Sequence, residues 1–142
     1  MACSDGTPNG SRSHKPVAPE VSAPEGLPNA LQPLLTRIAD RRAARSEATL
    51  QADIRQLLLA GDFGLIGNEL DVDLEAPASG GRRIDIQVGF TVIEVKKRLQ
   101  PGRTLHEAER QLAGYVRSRS QETGQRYVGI LTDGASWRAY QL

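Results

Sequence analysis

From residue 31 onward, apolar residues recur every three or four positions, first as Leu31, Leu34, Leu35 and Ile38, then as Leu50, Ile54, Leu57 and Leu58. That spacing puts each set on one face of a helix. The first stripe fades into the basic stretch Arg41, Arg42, Arg45. The second is bracketed by Ser46, suited to an N-cap, and Gly61, suited to a C-terminal stop. Glu47 lies on the side of Leu50 and Ile54, one turn ahead of the stripe, where the helix dipole tolerates a carboxylate. The period then changes. Leu70, Val72 and Leu74 alternate with Glu69, Asp71 and Asp73, and Glu75 continues the acidic row, which predicts a half-buried strand with a solvent-facing acidic side.

Pro77 to Gly81 reads as a turn, and Arg82 to Arg98 as a hairpin. After Pro101-Gly102, the order Thr104-Leu-His-Glu107 fits a capping box. The stripe Leu105, Ala108, Leu112, Tyr115, Val116 predicts a helix ending near Arg119. Tyr127 to Leu131 is a short apolar run suited to a buried strand, Asp133-Gly134 is a turn signal, and Trp137 to Leu142 suits a closing strand with Trp137 as a core anchor. The class is α/β. Internal repeats, a Walker phosphate loop and a Rossmann glycine fingerprint are all absent from the sequence.

Composition sharpens the picture. Residues 1–30 hold five of the eight prolines among Ser, Gly, Asn and Ala, without apolar periodicity, and read as a disordered tail ahead of a single domain over residues 31–142. That domain carries 16 basic and 14 acidic residues, so only the distribution of charge could select a partner. Neither a membrane-length apolar run nor a signal-peptide pattern occurs, which points to the cytoplasm. Cys3 is the only cysteine, and His14 and His106 are the only histidines. An internal disulfide and a cysteine zinc site are therefore excluded, and so few histidines argue against His-based metal cages and Ser-His triads. Carboxylates, lysine, arginine and an oxygen-loving metal remain.

The hairpin concentrates them. A two-residue loop at Gly89-Phe90, with Gly first as a type II′ turn prefers, pairs Val88 with Thr91 and Ile86 with Ile93. By counting, Ile84 then faces Val95 and Asp85 faces Glu94. One face would carry Ile84, Ile86, Val88, Ile93 and Val95, and the other Arg83, Asp85, Gln87, Glu94 and Lys96. Directly opposed residues have Cβ atoms about 4.5 to 5.5 Å apart, so Asp85 and Glu94 can hold one cation between them. Lys96 stands about 6.5 Å farther along the strand. Two hard oxygen ligands beside an ammonium suit magnesium-assisted phosphodiester hydrolysis, in which lysine orients or helps deprotonate the attacking water. The plain alternative is an ordinary solvated hairpin face whose diagonal pairs, Asp85 with Lys96 and Arg83 with Glu94, offset the like-charge opposition.

Asp85, a gap of eight residues, and Glu94-Val95-Lys96 resemble the D…E-x-K signature of the PD-(D/E)XK nuclease superfamily. The resemblance extends from Glu47 to Tyr140. Gln111-Leu-Ala-Gly-Tyr115 is similar to the Q-x-x-x-Y motif of RecB-like nucleases and of the nuclease domain of type I restriction R subunits, and Leu131 to Trp137 with Tyr140 is similar to the end of that domain. Ile84 stands where the superfamily's name has proline. The resemblance implies a restriction-endonuclease-like core, a central mixed β-sheet flanked by helices in the order α-β-β-β-α-β-β. It also implies a DNA endonuclease that depends on Mg2+, with Mn2+ as a substitute. Asp85, Glu94 and Lys96 would be catalytic. Glu47, Asp85, Glu94 and the Val95 carbonyl would be metal ligands, and Gln111 and Tyr115 would contact DNA or support the site. Lys97, Arg98 and Arg103, beside that site, suit phosphate contacts. Partners implied are DNA, a helicase or specificity subunit supplied in trans, and a second copy where both strands are cut. Ending at Gln141-Leu142 just after a strand reads as little C-terminal apparatus, or as a detached piece of a larger restriction or defence protein. The reading of a different class is a catalytically silent nuclease-like module that grips DNA or a protein partner.

Overall fold

The computed structural model describes residues 29–61 and 70–141, so most of the proline-rich segment 1–30, Glu69 and Leu142 lie outside the described residues. Within them the order is three helices and five strands: α1 Gln32–Ala39, α2 Glu47–Ala60, β1 Val72–Pro77, β2 Arg83–Val88, β3 Thr91–Val95, α3 Arg103–Thr123, β4 Val128–Thr132 and β5 Trp137–Gln141. Ser46 caps α2 as its chemistry predicts, its Oγ accepting from the Thr49 amide at 3.1 Å. The expected capping box at Thr104 does not form. α3 starts one residue earlier after Gly102, has no side-chain cap, and Glu107 takes the Arg103 guanidinium instead. α3 also runs past Arg119 to Thr123. Arg119 is held inside it by bonds to Gln87 Oε1 (2.9 Å) and the Pro77 carbonyl (2.6 Å), which reward continuing the helix across the sheet.

The strands form one mixed sheet in the order β1-β2-β3-β4-β5, antiparallel except for the parallel pair β3 and β4, which α3 connects. A parallel neighbour needs such a crossover. Gly129 lets the crossover helix lie close. A Cβ there would stand 2.9 Å from both Leu112 Cγ and Val116 Cγ2 on α3. The centre of the sheet is covered on both sides, while the edge strand β5 is mostly exposed. Leu31, Leu34, Ile38, Leu50 and Ile54 cover one face, and Leu105, Ala108, Leu112, Tyr115 and Val116 the other. No helix among the described residues is long and apolar enough to cross a membrane.

The hairpin has the expected register, Val88 with Thr91 and Ile86 with Ile93, and at its loop Gly89 alone takes a positive φ, 51°. The expected division of its faces holds for Ile86, Val88, Ile93 and Val95 and fails at Ile84. Ile86, Ile93 and Val95 pack toward α1 and α2, whereas Ile84 packs with Val92 and Leu131 toward α3. The cause lies between β1 and β2. Leu74 pairs with Ile86 and Ala76 with Ile84, but the intervening Glu75 and Asp85 drop out of the ladder, and Glu75 adopts φ 54°. Both strands turn over there, so Val72 and Ala76 also enter different cores, and Leu74, expected inside, is 38% exposed. Trp137 is not a core anchor. It is 46% exposed, its indole donating to the Gly134 carbonyl across the tight β4–β5 turn.

Candidate functional site

Asp85, Glu94 and Lys96 come together where β2 and β3 part. The ladder between these strands stops at Ile86 and Ile93, and Asp85 does not pair with Glu94 backbone to backbone. The Asp85 carboxylate itself takes the place of the missing strand partner, its Oδ2 accepting from the Val95 amide at 2.7 Å. On its other side β3 stays in register with β4, Glu94 opposite Leu131 and Val95 opposite Thr132, so Glu94 is fixed from a rigid parallel pair. Val95, whose carbonyl the resemblance names as a ligand, thus has its amide committed to Asp85 and its side chain buried against α2.

Glu94 is the anomaly. Only 1% of it is exposed; Oε1 accepts from Lys96 Nζ at 2.6 Å, and Oε2 is buried without a hydrogen-bond partner. A buried, partnerless carboxylate oxygen costs more than the bond it lacks would have contributed. Burial accordingly pushes the Glu94 carboxyl up to about 7, against the opposing bond from Lys96 and with reinforcement from the charge of Asp85. Asp85 is raised too, first by burial, partly offset by the Val95 amide and Lys96. Burial would lower the Lys96 ammonium, but its bond to Glu94 and the charges of Glu94 and Asp85 prevail and hold it above the ordinary lysine value.

Glu47 approaches from the start of α2. Its exposed carboxylate accepts from the Lys97 amide at 2.9 Å, which ties the segment after β3 to that helix. Its charge reaches Asp85, Glu94 and Lys96, yet it does not complete a cage. Among the described residues, no group of three or more His, Cys, Asp and Glu is gathered closely enough to hold a metal. The donor set that fits a hard divalent cation is therefore Asp85 with Glu94. Both carboxyls are raised by burial, and one oxygen lacks any partner, so a cation would offset both penalties.

Gln111 and Tyr115 share one face of α3 as expected, but they point inward. Gln111 Nε2 donates to Tyr115 Oη at 2.9 Å, and that hydroxyl donates to the Arg83 carbonyl at 2.8 Å. Tyr115 is 2% exposed, with the Arg82 guanidinium 5.6 Å from its ring centroid. The pair braces the start of β2, two residues before Asp85, and of the two roles implied for it the geometry leaves support of the site. Lys97 and Arg98 are exposed beside Glu47. Arg103 is exposed and paired with Glu107 at 2.7 Å. Sequence reasoning missed Glu75. Asp71, Asp73 and Glu75 are all exposed as expected, but Glu75, at the kink beside Asp85, also adds to burial a negative charge that raises Asp85. Periodicity could not reveal this, because alternation assumes the regular backbone that Glu75 breaks.

No family model matches the chain, and searches of curated proteins and of solved structures find no relative of it.

Proposed function

We propose that this domain is a metal-dependent deoxyribonuclease with a restriction-endonuclease-like core, hydrolysing phosphodiester bonds at the parting of β2 and β3. One observation carries the reading: Asp85 and Glu94, from adjacent strands, meet beside Lys96 with the buried Glu94 Oε2 left without a partner. Asp85 and Glu94 would hold the divalent cation, and magnesium bound there supplies charge neutralisation and a more acidic water. Lys96 stays protonated against Glu94, so its role is that of a cation facing the phosphate or orienting a water, rather than a base. Glu47 holds the Lys97 amide and so fixes the turn that follows Lys96. Gln111 and Tyr115 fix the strand that delivers Asp85.

The test is cleavage of supercoiled and linear DNA by the purified chain with magnesium, manganese or chelator, beside Asp85→Ala and Lys96→Ala at equal folded concentration. Cutting that requires metal and falls at least about a hundredfold in both variants is expected. Parent protein that leaves DNA intact, or variants that cut as well as the parent, would sink the proposal.

A second reading draws on the closed Glu94–Lys96 pair and the lack of a three-carboxylate group among the described residues: a nuclease-like module that binds DNA or a protein partner without cutting. It predicts no magnesium binding by calorimetry and a DNA affinity that survives Asp85→Ala.

A further inference from the structure

Beside the carboxylate pair, two clefts of about 360 and 370 Å3 share Glu47, Lys97, Arg98 and Gln100 as common walls, forming one trough. The α1–α2 loop makes one end of it, with Arg41, Arg42 and Arg45. Lys96 and Arg103 line the other end. Seven cationic and three acidic side chains line the whole, in a chain whose 18 basic and 17 acidic residues nearly cancel.

The three acids are occupied by main-chain amides. Glu47 accepts from Lys97 N and Asp40 from Arg42 N, while Asp133 accepts from the amides of Leu99, Ala135 and Ser136. The cations divide into two kinds. Arg45 is structural, bound to Asp53 and to the Ile38 and Asp40 carbonyls. Arg41 reaches Ser136 Oγ at 2.6 Å, which sets the loop against the β4–β5 turn. The side chains of Arg42, Lys97 and Arg98 are exposed and make no hydrogen bond or ion pair among the described residues, although carboxylates line the same cleft. Cations at both ends and in the shared wall of a trough, with the nearby acids already engaged, suit an anion that carries several charges along its length.

We infer that this trough binds the sugar-phosphate backbone of a nucleic acid, with Arg42 and Arg98 contacting phosphates on the α1–α2 side of the one lying at Lys96. The inference deepens the nuclease reading by adding the α1–α2 loop to the substrate surface, and it rests on that reading only for the identity of the phosphate at Lys96. Binding to phosphates releases counterions, and each contact contributes about 0.9 to the slope of log affinity against log salt on duplex DNA.

The test is binding of a labelled DNA duplex by the full chain in chelator, across about 50 to 200 mM salt. Three proteins are compared: the parent, Arg42→Ala with Arg98→Ala, and Arg117→Ala with Arg126→Ala. The last pair lines a separate cleft beside Tyr127 and Gln141, at the far end of β4. The trough variant is expected to lose about two units of slope, and the far variant none. Equal losses in both variants, an unchanged slope in the trough variant, no salt-dependent binding by the parent, or equally effective competition by a poly-glutamate peptide would each overturn the inference. Expected slopes without metal-dependent cutting would defeat the nuclease reading and leave the trough standing. Cutting with an unchanged slope would do the reverse.

Discussion

At the scale of single residues, Glu94 dominates the energetics. Its carboxyl, ordinarily near 4.5 and pushed up to about 7, makes the folded chain hold a proton more tightly than the unfolded chain does. The resulting stability is complete below about pH 4.5, declines as pH rises through about 7, and is level above that. Glu94→Gln keeps the shape and the acceptor for Lys96 but removes the titration. In chelator, the variant is expected to exceed the parent's stability by roughly 1 to 3 kcal/mol at pH 8 and to match it near pH 5, since one pK unit is worth about 1.4 kcal/mol. Thermal melts across that range check this. A parent-like decline in the variant would show that Glu94 is not the group responsible. The residue types at the site were legible because D…E-x-K is a sequence pattern. The imbalance at Glu94 was not, because an orphaned oxygen depends on tertiary burial that no hairpin count contains.

Among elements, the strands were readable until side chains took over backbone duties. The hairpin register followed from Gly89-Phe90 and the alternation around it, and it held through Ile86 and Ile93. Beyond that point Asp85 replaces a backbone acceptor and Glu75 takes φ 54°, events that alternation cannot encode. The same substitution of side chain for backbone explains Gln111 and Tyr115. They were legible as a helix face, but which partner that face meets is set by α3 crossing β2. Tyr115→Phe removes the donor to the Arg83 carbonyl and should cost about 0.5 to 1.5 kcal/mol by denaturant unfolding. DNA affinity, measured at equal folded concentration, should stay at the parent's value, because a residue 2% exposed has no surface to offer a ligand. A tenfold loss of affinity with unchanged stability would reverse that assignment and make Tyr115 a contact.

For the molecule as a whole, the two helical layers have unequal holds on the sheet. α3 is secured by its own crossover between β3 and β4 and by Arg119, whereas α1 and α2 come before the sheet in sequence and must be pinned to it through side chains and turns. The trough depends on that pinning, since its walls come from residues 40–47, Leu50, residues 96–104 and Asp133, and sequence periodicity says nothing about segments so far apart. Gly134 is a point of close approach between α1 and the β4–β5 turn. At φ 86°, it would carry a Cβ 2.3 Å from the Ile38 carbonyl oxygen and 3.0 Å from Leu50 Cδ1. The first of these is backbone, so α1 or the β4–β5 turn must move to admit a methyl group. Gly80 has a similar φ, 74°, with open space around its Cβ position, and isolates the conformational cost alone. Gly80→Ala should therefore lose about 1 kcal/mol and bind DNA with the parent's salt slope. Gly134→Ala should lose more than about 2 kcal/mol and, where still folded, show a shallower slope, because Arg41 and Arg42 follow α1 away from Lys97 and Arg98. Parallel unfolding and salt-titration measurements on the two variants decide it. If Gly134→Ala is no less stable than Gly80→Ala, the turn is not what holds the helical layer in place.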